Sequence, residues 1–93
     1  EIERVMKNHP QVADCAATGE ELSKDKVLVA AYVILHPGSA VTADDLVVYA
    51  REHLAAYKAP KIVYLVNDFP RTKNGKVMRQ HLIPSLAIAR STT

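Results

Sequence analysis

Apolar residues recur along this chain with two different periods, and the places where the period changes divide it into segments. Ile2, Val5 and Met6 fall at helical spacing and predict a helix over residues 1–8. It should stop at His9-Pro10, because the residue before a proline is pushed out of helical conformation. Residues 11–18, Gln-Val-Ala-Asp-Cys-Ala-Ala-Thr, read as a short strand, and the polar, charged stretch from Gly19 to Lys26 as an exposed hairpin loop. Val27 to Leu35 is a near-continuous apolar run rich in β-branched residues, the pattern of an inner strand covered on at least one face.

His36-Pro37-Gly38-Ser39 marks a turn. Thr42 then stands where a helix N-cap should be, with Asp44 and Asp45 in the first turn, where acids favour the helix dipole. Leu46, Tyr49, Ala50 and Leu54 follow on one face, which predicts a helix over residues 43–55. Tyr57-Lys58-Ala59-Pro60 breaks it, and residues 61–66 are strongly β-prone and predict a third strand. After the turn Asn67-Asp68-Phe69-Pro70 comes a polar loop, Arg71 to Gly75. A last helix should begin at Lys76 or Val77, with Val77, Leu82 and Leu86 along one face and Pro84 kinking it. The predicted fold is α+β: a small three-stranded sheet packed with helices, in the order helix-strand-strand-helix-strand-helix.

Ninety-three residues make one domain with one modest core. No apolar run approaches the roughly 18–20 residues that cross a bilayer, and no signal peptide is evident, so a cytoplasmic protein without a membrane partner is expected. The single cysteine, Cys15, has no partner for an internal disulfide and sits in an apolar stretch, which favours a buried structural thiol over a nucleophile. The four histidines lack ligand spacing with it, and no metal site is expected. The chain opens Glu1-Ile2-Glu3 as if inside a helix, without an initiating Met, which suggests a piece of a longer protein.

Charge is unevenly placed. Residues 1–68 carry seven Lys/Arg and ten Asp/Glu, whereas residues 69–93 carry Arg71, Lys73, Lys76, Arg79 and Arg90 with no acid. The basic end favours an anionic partner. Nucleic acid is not expected there, because the aromatic platforms that stack single strands are missing. Within that end, Phe69-Pro70-Arg71-Thr72-Lys73-Asn74-Gly75-Lys76-Val77-Met78-Arg79 is the informative stretch. Asn74-Gly75 is a turn dipeptide in which both residues tolerate positive φ. A turn just before a helix would expose backbone N–H groups able to hold an anion. Lys76 at that helix start would oppose the dipole, which is a weak sign of a functional lysine; by composition alone an ordinary exposed loop lysine is the favoured reading. The stretch is not a P-loop: the Gly-x-x-x-x-Gly-Lys-[Ser/Thr] spacing is absent, and Val77 supplies no hydroxyl for magnesium.

Pro70-Arg71-Thr72-x-x-Gly75-Lys76-x-x-Arg79 resembles the last motif of the AMP-forming acyl-adenylating ligases, the superfamily of acyl-CoA synthetases, nonribosomal peptide adenylation domains and luciferases. Glu1-Ile2-Glu3 with His9-Pro10-x-Val12 resembles that family's opening helix and turn. His53-Leu54-x-x-Tyr57-Lys58-x-Pro60 resembles the segment before its third strand. The three blocks come in the family's order and span almost the whole chain.

The resemblance implies a C-terminal lid domain, residues 1–93, of a larger ligase whose N-terminal domain, hinge residue and thioester-step loop lie upstream. It implies a carboxylic acid, ATP and CoA as substrates, and Mg2+ bound by the N-terminal domain. By the same resemblance Lys76 is the catalytic, nucleotide-contacting lysine of the adenylation step. A compact ammonium with three donors suits charge that builds up between a carboxylate, the α-phosphoryl oxygens and departing pyrophosphate. Arg71, Thr72, Asn74 and Gly75 would shape the loop that presents it, while Arg71, Lys73 and Arg79 are read as supporting or surface residues. A lysine acetyltransferase acting on Lys76 would erase its charge and stop adenylation. The identity of the acid, and CoA rather than a carrier-protein thiol as acceptor, lie outside what these residues encode. The competing reading is a standalone interaction or regulatory domain without catalysis.

Overall fold

The apolar run after Lys26 becomes an inner strand. A computed structural model, which describes residues 2–23, 26–55 and 57–92, places it at Lys26–Leu35 (β2). Val12–Ser23 (β1) pairs with it antiparallel on one side, and Ile62–Leu65 (β3) pairs with it in parallel on the other. Ala89–Thr92 (β4) adds antiparallel to β3, giving the sheet order β1-β2-β3-β4. A parallel pair needs a long crossover. The helix Ala43–His53 (α2) supplies it, and a short helix, Ile2–Lys7 (α1), leads into β1.

Strand alternation divides the core in two. Cys15, Ala31, Val33, Val63 and Leu65 pack with Met6 of α1 and with Leu46, Val47, Ala50 and Leu54 at α2. On the other face, Ala16, Ala30, Tyr32, Ile62 and Tyr64 pack with Val66, Phe69 and Leu82 from the C-terminal third. Tyr32 and Tyr64 are register partners and stack at 4.8 Å between centroids. The helices therefore cover one face of the sheet, and the segment that carries the informative motif covers the other.

The helix signals read from the sequence hold in α2. Thr42 Oγ1 accepts from the Asp45 amide at 3.1 Å, and the Asp45 carboxylate accepts from the Thr42 amide at 3.0 Å, a closed capping box. The helix ends at His53 rather than residue 55, and Val47, absent from the expected face, is buried while Tyr49 is half-buried.

Three expectations need correction. The sheet has four strands, not three. The stretch from Gly19 to Lys26 is mostly strand: Gly19, Glu20 and Glu21 stand in register with Val29, Leu28 and Val27, so a polar run is held by ladder hydrogen bonds; residues 24 and 25 of the expected loop lie outside the described residues, as does Glu1 of the expected helix. The last helix does not form. Lys76 and Val77 belong to a hairpin, followed by two single 3-10 turns at Arg79–His81 and Pro84–Leu86 and then by β4. Neither 3-10 turn has a side-chain N-cap, Pro84 withholds an amide, and Leu86 is exposed, so only Val77 and Leu82 remain to anchor a helix face. Meanwhile β3 is buried along its whole length, and its outer edge requires backbone partners, which β4 provides.

Candidate functional site

The chain turns back on itself between Pro70 and Met78. Gly75 N–H donates to the Thr72 carbonyl at 2.9 Å, Thr72 N–H to the Lys76 carbonyl at 2.9 Å, and Met78 N–H to the Pro70 carbonyl at 2.8 Å; Arg71 and Val77 form the bridge between them. Gly75, at φ 86°, is the left-handed residue that closes the turn, while Asn74 does not adopt positive φ. This is the three-residue hairpin connection in which a tight turn is followed by a glycine bulge.

The hairpin fixes Lys76 at both ends of its peptide unit. Its amide donates to Thr72 Oγ1 at 3.2 Å and its carbonyl accepts from Thr72 N–H. Its side chain is exposed. No helix begins at this residue, so the expected helix-start anion site does not form, and the Thr72, Gly75 and Lys76 amides are bonded within the hairpin. The Lys76 side chain is the charge that this part of the loop presents.

The four cations of the stretch divide into two kinds. Arg71 ion-pairs with the neighbouring Asp68, lies 3.8 Å from an Asp14 carboxylate oxygen on β1, and has its guanidinium carbon 5.6 Å from the Phe69 ring centroid. The Phe69 amide and then the Arg71 guanidinium hold the Asp68 carboxyl below its ordinary range. Asp14 is also 3.5 Å from Lys7 of α1. Arg79 reaches across to Glu3 of α1, with Nη2 at 2.9 and 2.7 Å from the two carboxylate oxygens and Nε at 3.2 Å from one of them. That carboxylate also accepts the Ala17 amide of β1 at 2.9 Å. Partial burial pushes the Glu3 carboxyl upward, but the Ala17 amide and Arg79 more than offset it and leave it below the ordinary glutamate value. Lys73 and Lys76, by contrast, have exposed side chains with no acidic partner among the described residues.

Arg71, Thr72, Asn74, Gly75 and Lys76 thus lie together on one hairpin, whose bonds run through Thr72 and Gly75. Its anchors, Glu3, Asp14 and Asp68, lie outside the motif. Asp68 was legible, three residues from Arg71; Glu3, 76 residues from Arg79, carries no local signal. Cys15 is buried, and burial first, then the Glu3 and Asp14 carboxylates, push its thiol up to about 12, a structural thiol rather than a nucleophile. No group of three or more His, Cys, Asp or Glu among the described residues could hold a metal ion, and none of the described helices is long and apolar enough to cross a membrane.

Comparison with known proteins places this geometry. The family model described as the AMP-binding enzyme C-terminal domain matches residues 1–76. Acetyl-coenzyme A synthetase 1 from Candida albicans is 36% identical over 93 residues, covering 94% of this chain and 14% of that protein. An oxalate–CoA ligase from Saccharomyces cerevisiae is 31% identical over 87 residues, covering 94% of this chain and 16% of its own length. Among solved structures, the o-succinylbenzoate coenzyme A synthetase of Bacillus subtilis in complex with AMP superposes with a TM-score of 0.73 at 36% identity, over 87% of this chain and 16% of that one. A Mycobacterium tuberculosis fatty acyl CoA synthetase gives a TM-score of 0.76 at 32% identity, over 86% of this chain and 16% of that one. The chain therefore spans about one-sixth of the length of the proteins it matches. With its helix-covered sheet and its lysine-bearing hairpin, it belongs to the AMP-binding enzyme C-terminal domain family, whose members it matches are C-terminal regions of AMP-forming acyl-CoA ligases.

Proposed function

We propose that this chain, residues 1–93, is the mobile C-terminal domain of an AMP-forming acyl-CoA synthetase, and that Lys76 enters the active site of its N-terminal domain for the adenylation step. In the proposed reaction a carboxylic acid attacks the α-phosphate of ATP to give an acyl-adenylate and pyrophosphate. The thiol of CoA then displaces AMP. The observation that carries this reading is the placement of Lys76: its backbone is bonded at both ends to Thr72 on a closed hairpin, and its ammonium side chain is exposed, without an acidic partner among the described residues.

Such a group can do one thing well. Charge spreads over carboxylate, α-phosphoryl and pyrophosphate oxygens as the acyl–phosphate bond forms, and three N–H donors on a compact cation can bridge them. The lysine must stay protonated, so it acts by electrostatic stabilisation and not as a base. Thr72 and Gly75 hold the loop through their hydrogen bonds, Asn74 occupies its turn, and Arg71 anchors it. Mg2+ enters only as the ion the larger domain would hold beside ATP. An exposed ammonium is also open to a lysine acetyltransferase, and acetylation would abolish the charge on which adenylation depends.

The test is Lys76→Ala in the intact ligase. Adenylation, followed by pyrophosphate exchange, should fall by about 10²–10³-fold. Thioester formation from pre-made acyl-adenylate should stay within about threefold. Equal loss of both half-reactions overturns the role. A standalone domain without catalysis is the competing reading; it requires that the reading frame upstream of Glu1 encode no adenylating domain.

A further inference from the structure

We infer that Glu3 and Arg79 form a positioning latch for the Lys76 hairpin, and that the latch serves adenylation without itself touching substrate. This rests on the reading of Lys76 given above and adds to it two residues that act through another. The hairpin is closed on itself: its backbone bonds run between Thr72, Gly75 and Lys76 and between Pro70 and Met78. Those bonds fix its internal shape but not its direction relative to the sheet. Direction has to come from where its two ends are tied.

The incoming end is seated by the buried Phe69 ring, which fixes position without direction, and its ion pairs are mostly local. Arg71 pairs with Asp68, only three residues away, and reaches β1 only at 3.8 Å from Asp14. The outgoing end is tied to the body. One residue past Met78, Arg79 places two guanidinium nitrogens on the Glu3 carboxylate, and Glu3 in turn takes the Ala17 amide. One carboxylate therefore joins the first helix, the edge strand of the sheet and the exit of the hairpin. Arginine suits this task because its planar fork fixes angle as well as distance, which a lysine ammonium cannot do. Lys76 lies three residues before Arg79, so a tilt of the hairpin at this latch moves the ammonium directly. Displacing a reacting group by about 1 Å can cost on the order of 10²-fold.

The experiment uses the intact ligase with four variants: Arg79→Met, Arg79→Lys, the reversed pair Glu3→Arg with Arg79→Glu, and Lys76→Ala. Both half-reactions and thermal unfolding are measured for each. Arg79→Met should slow adenylation by about 10–100-fold, with thioester formation from pre-made acyl-adenylate within about threefold. Arg79→Lys should fall between wild type and Met, because charge is kept and the fork is lost. The reversed pair should recover part of the loss relative to Arg79→Met. Adenylation unchanged in Arg79→Met while Lys76→Ala slows it as stated above overturns the latch alone. Equal loss of both half-reactions with a lowered unfolding temperature overturns it too, by making Arg79 a brace of the fold. No effect of Lys76→Ala overturns the parent reading instead.

Discussion

The two faces of the sheet are held in different ways, and the contrast explains how a small domain can be rigid and still offer an exposed cation. On the helix side, Met6, Leu46, Ala50, Val33 and Val63 are wholly buried, and cohesion comes from non-directional apolar contact. On the other side, Tyr32, Tyr64, Phe69 and Leu82 form a smaller buried patch, over which a polar segment is fastened by a hairpin, a glycine and two arginine–carboxylate pairs. Burial holds the scaffold; directional bonds aim the hairpin. The lesson is that stability and site geometry should respond to different substitutions.

The strongest way to break that contrast is Leu46→Ala. The side chain is fully buried in the helix-side core, and its truncation should cost about 2–5 kcal/mol in urea unfolding. A cost below 1 kcal/mol would mean that this face is not the scaffold. Gly75→Ala should cost about 1–2 kcal/mol, because φ 86° disfavours a Cβ although nothing lies within 4 Å of one. Amide exchange should quicken at Thr72 and Met78, whose N–H groups close the hairpin, and not in β2. Equal quickening in β2 would mean the two regions open as one. Thr42→Ala removes one half of the capping box and should cost about 1 kcal/mol, read by thermal unfolding, without altering exchange in the hairpin.

The smallest effect is an acid one. The Glu3 carboxyl titrates below its ordinary range in the folded chain, so its contribution is complete above the unfolded-state value and is lost as pH falls through the folded one. The stability difference between wild type and Glu3→Gln should therefore be largest near neutrality and shrink as pH drops below about 4. Because the pair is partly in water, the difference should stay under about 1 kcal/mol. A difference that grows on acidification reverses the assigned direction.

Legibility differs between the same two regions. α2 was readable because its start is local chemistry: Thr42 and Asp45 are three residues apart and cap each other. β2 was readable because a covered inner strand must be apolar along its length. The polar end of β1 was not, since Gly19, Glu20 and Glu21 are strand only through pairing with Val29, Leu28 and Val27. The C-terminal third misled for the same reason. Leu82 and Leu86 sit four apart, as on a helix face, yet only Leu82 is buried, and the outcome turned on the edge of β3 needing a partner.

The sequence by itself determined the turn at Asn74-Gly75, the cap at Thr42, the inner strand and the motif that contains Lys76, because each depends on residues close together in the chain. Tertiary structure alone decided that residues 89–92 become a strand, that Arg79 finds Glu3, and that of the four cations in the motif the two arginines are tied while the two lysines remain exposed. Those outcomes depend on which backbone edges and carboxylates other segments bring near. No local spacing can encode that.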